Sequence, residues 1–411
     1  MHGSTPVTPY VGLDIGTSAV RCVVGVVDPN NPGKLSIVGH GSAKNMGMRR
    51  GVVAHIDDAA EAVVQALTEA ERVSGMHIKG ATVNVNGPHV TGVNSKGVIA
   101  ISAANREISA EDRMRAEEAA TIMQLPSNRE IIQVFAKNYR LDGQENIKDP
   151  VGMHGVRLEV DTHIVTAATP NLRSLDMALE KAQITPHNHT LSSLAAAEAV
   201  MDRQQKEAGT VLLDIGAGTT NLVVLEDGEV QHVAILPLGS MHITNDLAIG
   251  LKTDLDIAEA VKIKYASLDA QASKRDIRIR TQNKDHIFKA EEVAMITEAR
   301  VEELFEYVQK ELIRIHRAHK LPGGVVIVGG AAKLPGIAEF AKEKLQLASR
   351  IGKIHSVSGL VDTVADPEFA VAAGLMMLDM LLEPEMHSGA KEKTSDRALK
   401  MVDNFLGRFK R

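Results

Sequence analysis

The sequence predicts an α/β protein of duplicated, two-lobed build, with a smaller α+β unit set into its first half. Three observations carry that prediction. The stretch VGLDIGTSAVRCVVG at 11 to 25 is echoed by VLLDIGAGTTNLVVLEDGEV at 211 to 230, so that Asp14 and Gly16 are answered by Asp214 and Gly216. Each copy opens the same series of three strand-like runs and then a helix. A Gly-rich run, GGVVIVGGAAKLPGI at 323 to 337, adds a buried strand that stops at Gly329-Gly330. A chain of 411 residues has room for two to three cores, as a tandem duplication of a domain core requires.

In the first half, VGLDIG, SAVRCVVGVV and KLSIVGHGSA read as strands, the last two separated by the turn cluster DPNNPG at 28 to 33. Asp57 or Asp58 then opens a helix, DDAAEAVVQALTEAERV, with Val63, Val64, Leu67 and Ala70 on one face. The insert follows at roughly 87 to 162. It holds strands in TVNVNGPHVTGVNSKGVIAIS, a helix in SAEDRMRAEEAATIM capped by Ser109 with Asp112 three residues on, and a strand pair in EIIQVFAKNYRLDG and GVRLEVDTHIVTAA. In the second half, NLVVLEDGEVQHVAILPLG turns at Asp227-Gly228, and a helix begins near Ser240. Residues 266 to 290 alternate Ile and Arg, as an exposed hairpin does. A long helix, AEEVAMITEARVEELFEYVQKELIRIHRAHK, then runs toward Leu321-Pro322.

Composition narrows the function classes. Hydrophobic residues at 44% and charged residues at 24% describe an ordinary globular chain, neither disordered nor fibrous. A net charge of −6, no Trp and 3% aromatics provide neither the basic surface nor the stacking platforms of a nucleic-acid binder, so no such partner is expected. Cys22, in an apolar strand-like run, is expected to be a buried structural thiol in a reducing compartment. MHGSTPVTPY shows no basic stretch before an apolar one, so no secretory signal is expected. FAVAAGLMMLDMLL at 369 to 382 is interrupted by Asp379 and too short to span a bilayer.

A strand that delivers Asp-Ile-Gly into a tight turn of Gly, Thr and Ser aims backbone N–H groups and a hydroxyl at one point, which is how a chain holds phosphate oxygens. Glycine there permits close approach and a positive φ, and the aspartate at the strand end is placed to hold a hydrated Mg²⁺. One such turn alone would read as a plain hairpin whose Asp caps its own backbone. Two at matching places can grip a polyphosphate from both sides. The run at 323 to 337 offers backbone against which a flat purine and its ribose can pack. Together the three predict a nucleotide site.

DIGTSAV, DIGAGTTNLVV and VVIVGGAAKLPGI resemble the two phosphate motifs and the adenosine motif of the actin, heat-shock chaperone and sugar-kinase superfamily, whose fold is actin-like and ribonuclease H-like. Within it the match narrows to the FtsA family of bacterial cell-division proteins. IKDPVGMHGVRLEVDTHIVTA at 147 to 167 resembles a signature of that family, and the insert stands where the family has its 1C subdomain. AEAVKIKY at 258 to 265 matches the helix whose Glu and Lys approach the adenosine, and a basic amphipathic C-terminus completes the set. The resemblance runs from about residue 10 to the end. It implies subdomain 1A at 7–86 and 163–208, 1C at 87–162, 2A at 209–226 and 301–382, 2B at 227–300, a flexible linker at 383–396 and a membrane-targeting helix at 397–411.

The resemblance also implies ATP and Mg²⁺ as ligands. Gly16, Thr17 and Ser18 would contact the phosphates from one side and Gly216, Ala217, Gly218, Thr219 and Thr220 from the other. Asp14 and Asp214 would hold the Mg²⁺ through water. Gly329, Gly330, Ala331 and Lys333 would border the adenosine, and Glu259 and Lys262 would approach it from their helix. Where actin-like ATPases carry a polar residue to position water, this chain reads LSSLAAAEAV. Ser193 and Glu198 are the candidates there, no catalytic residue is assigned, and slow or negligible turnover is expected.

Arg300 and Glu303, spaced for one helix face and ordinarily a solvated pair, match positions that in the family contact the acidic C-terminal tail of the tubulin-like protein FtsZ. The segment DRALKMVDNFLGRFKR sets Ala398, Leu399, Val402, Phe405, Leu406 and Phe409 against Lys400, Asp403, Asn404 and Arg408. A helix of about 15 residues is roughly 22 Å long and would lie flat on a membrane. Residues 397 to 411 carry a net charge of +4 in a chain whose total is −6, which suits anionic lipids, where each basic residue gains on the order of 1 kcal/mol. The linker EPEMHSGAKEKTSD reaches about 20 Å as a coil. A helix docked on the protein's own core is the other reading of the same phenylalanines.

The implied function is an ATP-binding protein that tethers FtsZ filaments, the Z ring, to the inner face of the cytoplasmic membrane at the septum. It would also polymerise, which multiplies weak membrane contacts, and recruit further divisome proteins. Two other readings stay open. A pilus-assembly adaptor like PilM shares the insert but needs no amphipathic anchor, and a small-molecule kinase of the superfamily needs a catalytic carboxylate that does not stand out. The pairs His187/His189 and His316/His319 offer too few ligands for a metal and read as solvated surface.

Overall fold

The computed structural model describes residues 8–28, 31–102, 105–123, 125–269, 276–280 and 285–381. The expected linker and amphipathic segment, with Leu399, Val402, Phe405, Leu406 and Phe409, lie outside the described residues, as do Pro29-Asn30 in the first turn cluster and parts of the 266–290 hairpin. The hairpin's two arms, Ile277–Arg280 and Asp285–Phe288, do pair antiparallel.

The echo in the sequence is an echo in the fold. The first half is built on a six-stranded sheet in the order Thr185–Leu191, Gly80–Val85, Tyr10–Ile15, Ala19–Asp28, Asn31–Lys44, Val357–Gly359. The second half has five strands in the order Glu229–Leu236, Thr220–Glu226, Thr210–Ile215, Gly324–Val328, Ser349–Ile351. In each, three consecutive strands form an antiparallel meander whose first strand pairs in parallel with a later one. The first hairpins share one register, with Asp14 opposite Arg21 and Asp214 opposite Asn221.

The central strands of the second sheet are apolar throughout because both faces are covered. Val211, Leu213, Val325 and Ile327 enter a core under the helices Ser240–Gly250, Leu255–Tyr265, Ala290–Arg314 and Ile337–Leu345. Leu212, Val326 and Val328 alternate to the opposite face and join the core of the first half, together with helix Ser192–Val200. Period-two alternation thus stitches the halves together.

The insert has its own core. Strands Thr91–Ala100, Arg157–Ala168, Arg129–Leu141 and Gln144–Ile147 form its sheet in that order, with helix Ala110–Thr121 on one face over Val134, Leu158 and Ile164. Ser109 caps that helix as expected, in a reciprocal bond with Asp112. Strand Arg157–Ala168 runs unbroken from the insert into the main core, which Val165 and Ala167 already join.

Several expectations need correction. Val64 is 44% exposed, since a step of 100° from Val63 carries it off the buried face, which Ala59, Ala66 and Ala70 fill instead. The long helix stops at Arg314, and His316 and His319 adopt φ +59 in the turn that follows. His187 and His189 are not simply solvated, being held on the edge strand by Asp379 (2.8 Å) and Asp176 (2.9 Å). From Val357 onward the chain returns to the first half, unlike a division by chain order that leaves 301–382 with the second. Helix Ala370–Leu381, from the apolar run, packs on Tyr10–Ile15 and Ser192–Val200. Among the described residues no helix is long and apolar enough to cross a membrane.

Candidate functional site

The two DIG turns meet. Each is closed by one backbone bond, Gly16 N–H to Ala19 O (3.0 Å) and Gly216 N–H to Thr219 O (2.9 Å), so Thr17 corresponds to Ala217 and Ser18 to Gly218. A Cβ on Gly218 would lie 2.8 Å from Thr17 Oγ1 and 3.0 Å from the Cα of Arg50, which leaves room only for glycine where the halves touch. Thr17 Oγ1 accepts from Gly51 N–H (3.0 Å), and Asn86 Nδ2 donates to Thr219 Oγ1 (3.1 Å), tying each turn to the first half. The positive φ expected at these glycines is absent from Gly16, Gly216 and Gly218. Close approach, not handedness, explains them.

The N-terminus of helix Ser240–Gly250 donates Ser240 N–H to Gly216 O (2.9 Å) and Met241 N–H to Ala217 O (2.8 Å), which fixes the second turn's carbonyls away from the cleft. No hydrogen bond among the described residues engages the N–H groups of Thr17, Ser18, Ala217 or Gly218. Such a pair of nests suits anionic oxygens. Thr220, expected at the phosphates, is buried in its strand with its hydroxyl donating to Leu238 O (2.8 Å).

Both aspartates are buried, Asp14 at 8% and Asp214 at 6% exposure. Asn84 orients the first: its Nδ2 donates to Asp14 Oδ1 (2.7 Å) and Ser192 Oγ (3.1 Å), while its Oδ1 accepts Ile15 N–H (2.7 Å). Asn221 Nδ2 donates to Asp214 Oδ2 (2.9 Å). Burial raises the Asp14 carboxyl to about 7, against the pull of Arg21 and with a push from Asp214. It raises Asp214 to about 6, opposed by the Asn221 bond and by Arg21. The register-matched Arg21 and Asn221 each keep a buried atom without a partner, Nε and Oδ1. Two carboxylates flanked by unsatisfied polar atoms fit a hydrated Mg²⁺ on a phosphate, and among the described residues no cluster of three metal-binding side chains is present to hold a bare ion.

The third Gly-rich element arrives at the second aspartate. Gly329, at φ +86, sits where a Cβ would be 2.6 Å from both Asp214 Oδ1 and Ile215 O, whereas Gly330 faces open space. A narrow, mainly apolar cleft opens beside it, bounded by Ile215, Ser240, Ile243, Ala331 and Leu334, with Arg300 on its rim. Lys262 lies next to that rim, bonded to Glu259 (2.7 Å), Thr244 Oγ1 (2.9 Å) and Ser240 O (3.3 Å). Glu259 also accepts from Thr244. Lys333 turns instead to Asp366 (2.6 Å) and Glu368 (3.1 Å), and Glu368 also pairs with Arg21 (2.9 Å). Arg300 is bound by Asp246 and Glu303, so the expected partner pair lies on one helix face and adjoins the cleft. Of the water-positioning candidates, Ser193 is buried and Glu198 pairs with Lys206 (2.8 Å); it is Ser192 that reaches the Asp14 network.

Asn84, Asn86, Arg21 and Asn221 were missed by motif reading. A signal for the first two exists in TVNVNGP, where asparagines alternate with valines and so share one face of a buried strand. Arg21 and Asn221 become equivalent only once the hairpins are aligned through Gly16 and Gly216.

Comparison with known proteins agrees with this construction. A family profile described as Cell division protein FtsA matches residues 211–374, and one described as SHS2 domain inserted in FTSA matches 87–166. Cell division protein FtsA of Pseudomonas aeruginosa is 34% identical over 371 residues, 89% of this chain and 88% of that one. The Bacillus subtilis protein of the same description is 35% identical over 371 residues, 89% and 82% of the two chains. Among solved structures, the PilM-PilN type IV pilus biogenesis complex matches with a TM-score of 0.65 at 19% identity, over 92% of this chain and 100% of that one. MreB5 of Spiroplasma citri bound to ADP matches at 0.55 and 15%, over 93% and 99%. At those identities the structures establish the actin-like fold alone. The identity and coverage of the sequence relatives establish more: the chain belongs to the cell-division protein FtsA family.

Proposed function

We propose that this FtsA-family chain binds ATP with Mg²⁺ between its halves, polymerises, and attaches FtsZ filaments to the inner face of the cytoplasmic membrane through its amphipathic C-terminus. The observation that carries the nucleotide part is the contact between the two turns, which gathers uncommitted N–H groups from both halves beside two buried aspartates. The related-fold MreB5 is described bound to ADP and to AMPPNP, which supports a nucleotide at the same junction. A bound Mg²⁺ supplies charge neutralisation of the phosphates; Asp14 and Asp214 hold it through water, oriented by Asn84 and Asn221. Ser193 is buried and Glu198 is paired with Lys206, which is consistent with slow turnover.

Partner binding rests on family membership and on Arg300 and Glu303 sharing a helix face. Membrane attachment rests on the sequence of 397–411. Co-flotation tests the whole. FtsZ should rise with anionic vesicles in the presence of the full chain and Mg-ATP, and stay behind when 397–411 are removed or when Arg300→Glu is introduced. Equal flotation of FtsZ with the truncated chain would refute the tether.

A further inference from the structure

We propose that Arg50 is a phosphate-binding residue, a basic arm that the first half holds across the second half's turn to meet the terminal phosphates of a bound nucleotide. This deepens the ATP reading above and depends on it. Strands Met48–Arg49 and Val52–Val53 pair antiparallel around a two-residue turn in which Arg50 has φ +49 and Gly51 φ +76. Both central residues are left-handed, the conformation of a turn that favours Asn-Gly. An arginine in its first position carries a conformational cost that nothing in the local backbone repays.

The tip of this hairpin is wedged among the parts of the site. Gly51 N–H donates to Thr17 Oγ1 (3.0 Å), and Gly51 lies against Gly87 and Asn86, whose side chain bonds Thr219. The Cα of Arg50 itself touches Gly218, on the other half. A side chain as long as arginine's, starting there, can cross the turn between the halves.

Charge and position together single it out, since Lys44 and Arg49 are also exposed and without an ion pair among the described residues but it is Arg50 whose Cα meets the opposite turn. Four cations around the cleft are already neutralised: Arg21 by Glu368, Lys333 by Asp366 and Glu368, Lys262 by Glu259, Arg300 by Asp246 and Glu303. Arg50 is exposed and makes no ion pair or side-chain hydrogen bond among the described residues. The two aspartates add negative charge to a place meant for a polyphosphate. A planar guanidinium that can grip two phosphate oxygens at once is the missing counter-charge. Because the arm belongs to one half and the turn it touches to the other, its contact should tell a triphosphate from a diphosphate.

Arg50→Asn suits the left-handed turn at least as well as arginine, so it separates binding from folding. Isothermal titration of the full-length chain with Mg-ATP, Mg-ADP and adenosine, beside its melting temperature, is the experiment. Loss of a bond to a charged group predicts about tenfold or greater weakening of ATP, a smaller loss for ADP and none for adenosine, with no fall in melting temperature. Arg50→Lys should recover part of the ATP affinity, and Arg49→Asn, one residue away and of equal charge, should leave it near wild type. An Arg50→Asn chain whose ATP and ADP affinities are unchanged, or fall together with that for adenosine, overturns the assignment, as does an equal effect of Arg49→Asn. Failure of the unaltered chain to bind any of the three would refute the nucleotide reading itself.

Discussion

Asp14 and Asp214 end equivalent strands in a place that favours their neutral forms, at about 7 and about 6 against 3.8 for a free carboxyl. Between 3.8 and those values the folded chain binds more protons than the unfolded one, so the pair's contribution to stability falls as pH rises through the window. A dication held there, as proposed, would reverse the preference by stabilising both carboxylates. From about pH 5.5 to about pH 8, the stabilisation conferred by Mg-ATP should therefore grow, and in Asp14→Asn that growth should shrink. Melting scans of both chains, with and without Mg-ATP, check this; an increment of the same size at every pH would contradict it. At this scale, the aspartates were legible because duplication sets their type and spacing together. Arg21 and Asn221 were not, because the same structural position carries different chemistry in the two halves. The engagement of Thr220 was not legible for a related reason: its partner, the Leu238 carbonyl, lies just past the end of strand Glu229–Leu236 and no local pattern announces it.

Among the elements, helix Ala370–Leu381 shows what a hydropathy pattern conveys and what it omits. Its apolar length and the break at Asp379 are visible in the sequence, but the use of that break is tertiary. Asp379 Oδ2 accepts Val11 N–H (2.8 Å), and its Oδ1 accepts the Thr82 hydroxyl (2.7 Å) and lies 2.8 Å from His187 Nδ1. One buried carboxylate thereby ties three neighbouring strands of the first sheet to the helix after which the chain enters the expected linker. Asp379→Ala strands a buried N–H and a buried hydroxyl and should destabilise the chain by about 2–5 kcal/mol in urea denaturation. His187→Ala, which removes a half-exposed partner and leaves the other two bonds, should cost about 1 kcal/mol or less. Equal losses would mean that the histidine, not the strand contacts, anchors the helix. The helix at Ile56–Ser74 was read correctly in period but too generously in breadth at Val64, because alanines could not be counted as core until the neighbouring sheet was in place.

For the whole molecule, the halves are stitched by strands of the second sheet whose alternate side chains enter the first half's core, and the insert by a joint. The insert's sheet lies against Glu229–Leu236, and in their interface the buried His163 accepts Val233 N–H at Nε2 (3.2 Å) and donates from Nδ1 to Asn94 Oδ1 (2.8 Å). Its ring stands 5.5 Å from that of His232, which contacts Glu311 and Arg314. Burial, and then His232, Lys137 and Arg314, push the His163 imidazole down to about 3. Between that value and 6.5 the folded chain binds fewer protons than the unfolded one, so this joint loses stability as pH falls through the window, opposite in sign to the aspartate pair. A protonated ring also cannot accept the Val233 N–H. Lowering pH from about 7 to about 5 should therefore reduce the hydrogen-exchange protection of Val233 and its strand before that of the central strand Thr210–Ile215. In His163→Gln, whose amide both accepts and donates without titrating, the protection at Val233 should hold at acid pH. Were the substituted chain to lose it as readily, the acid-sensitive joint would have to lie elsewhere, and the histidine between insert and second half would be a packing residue only.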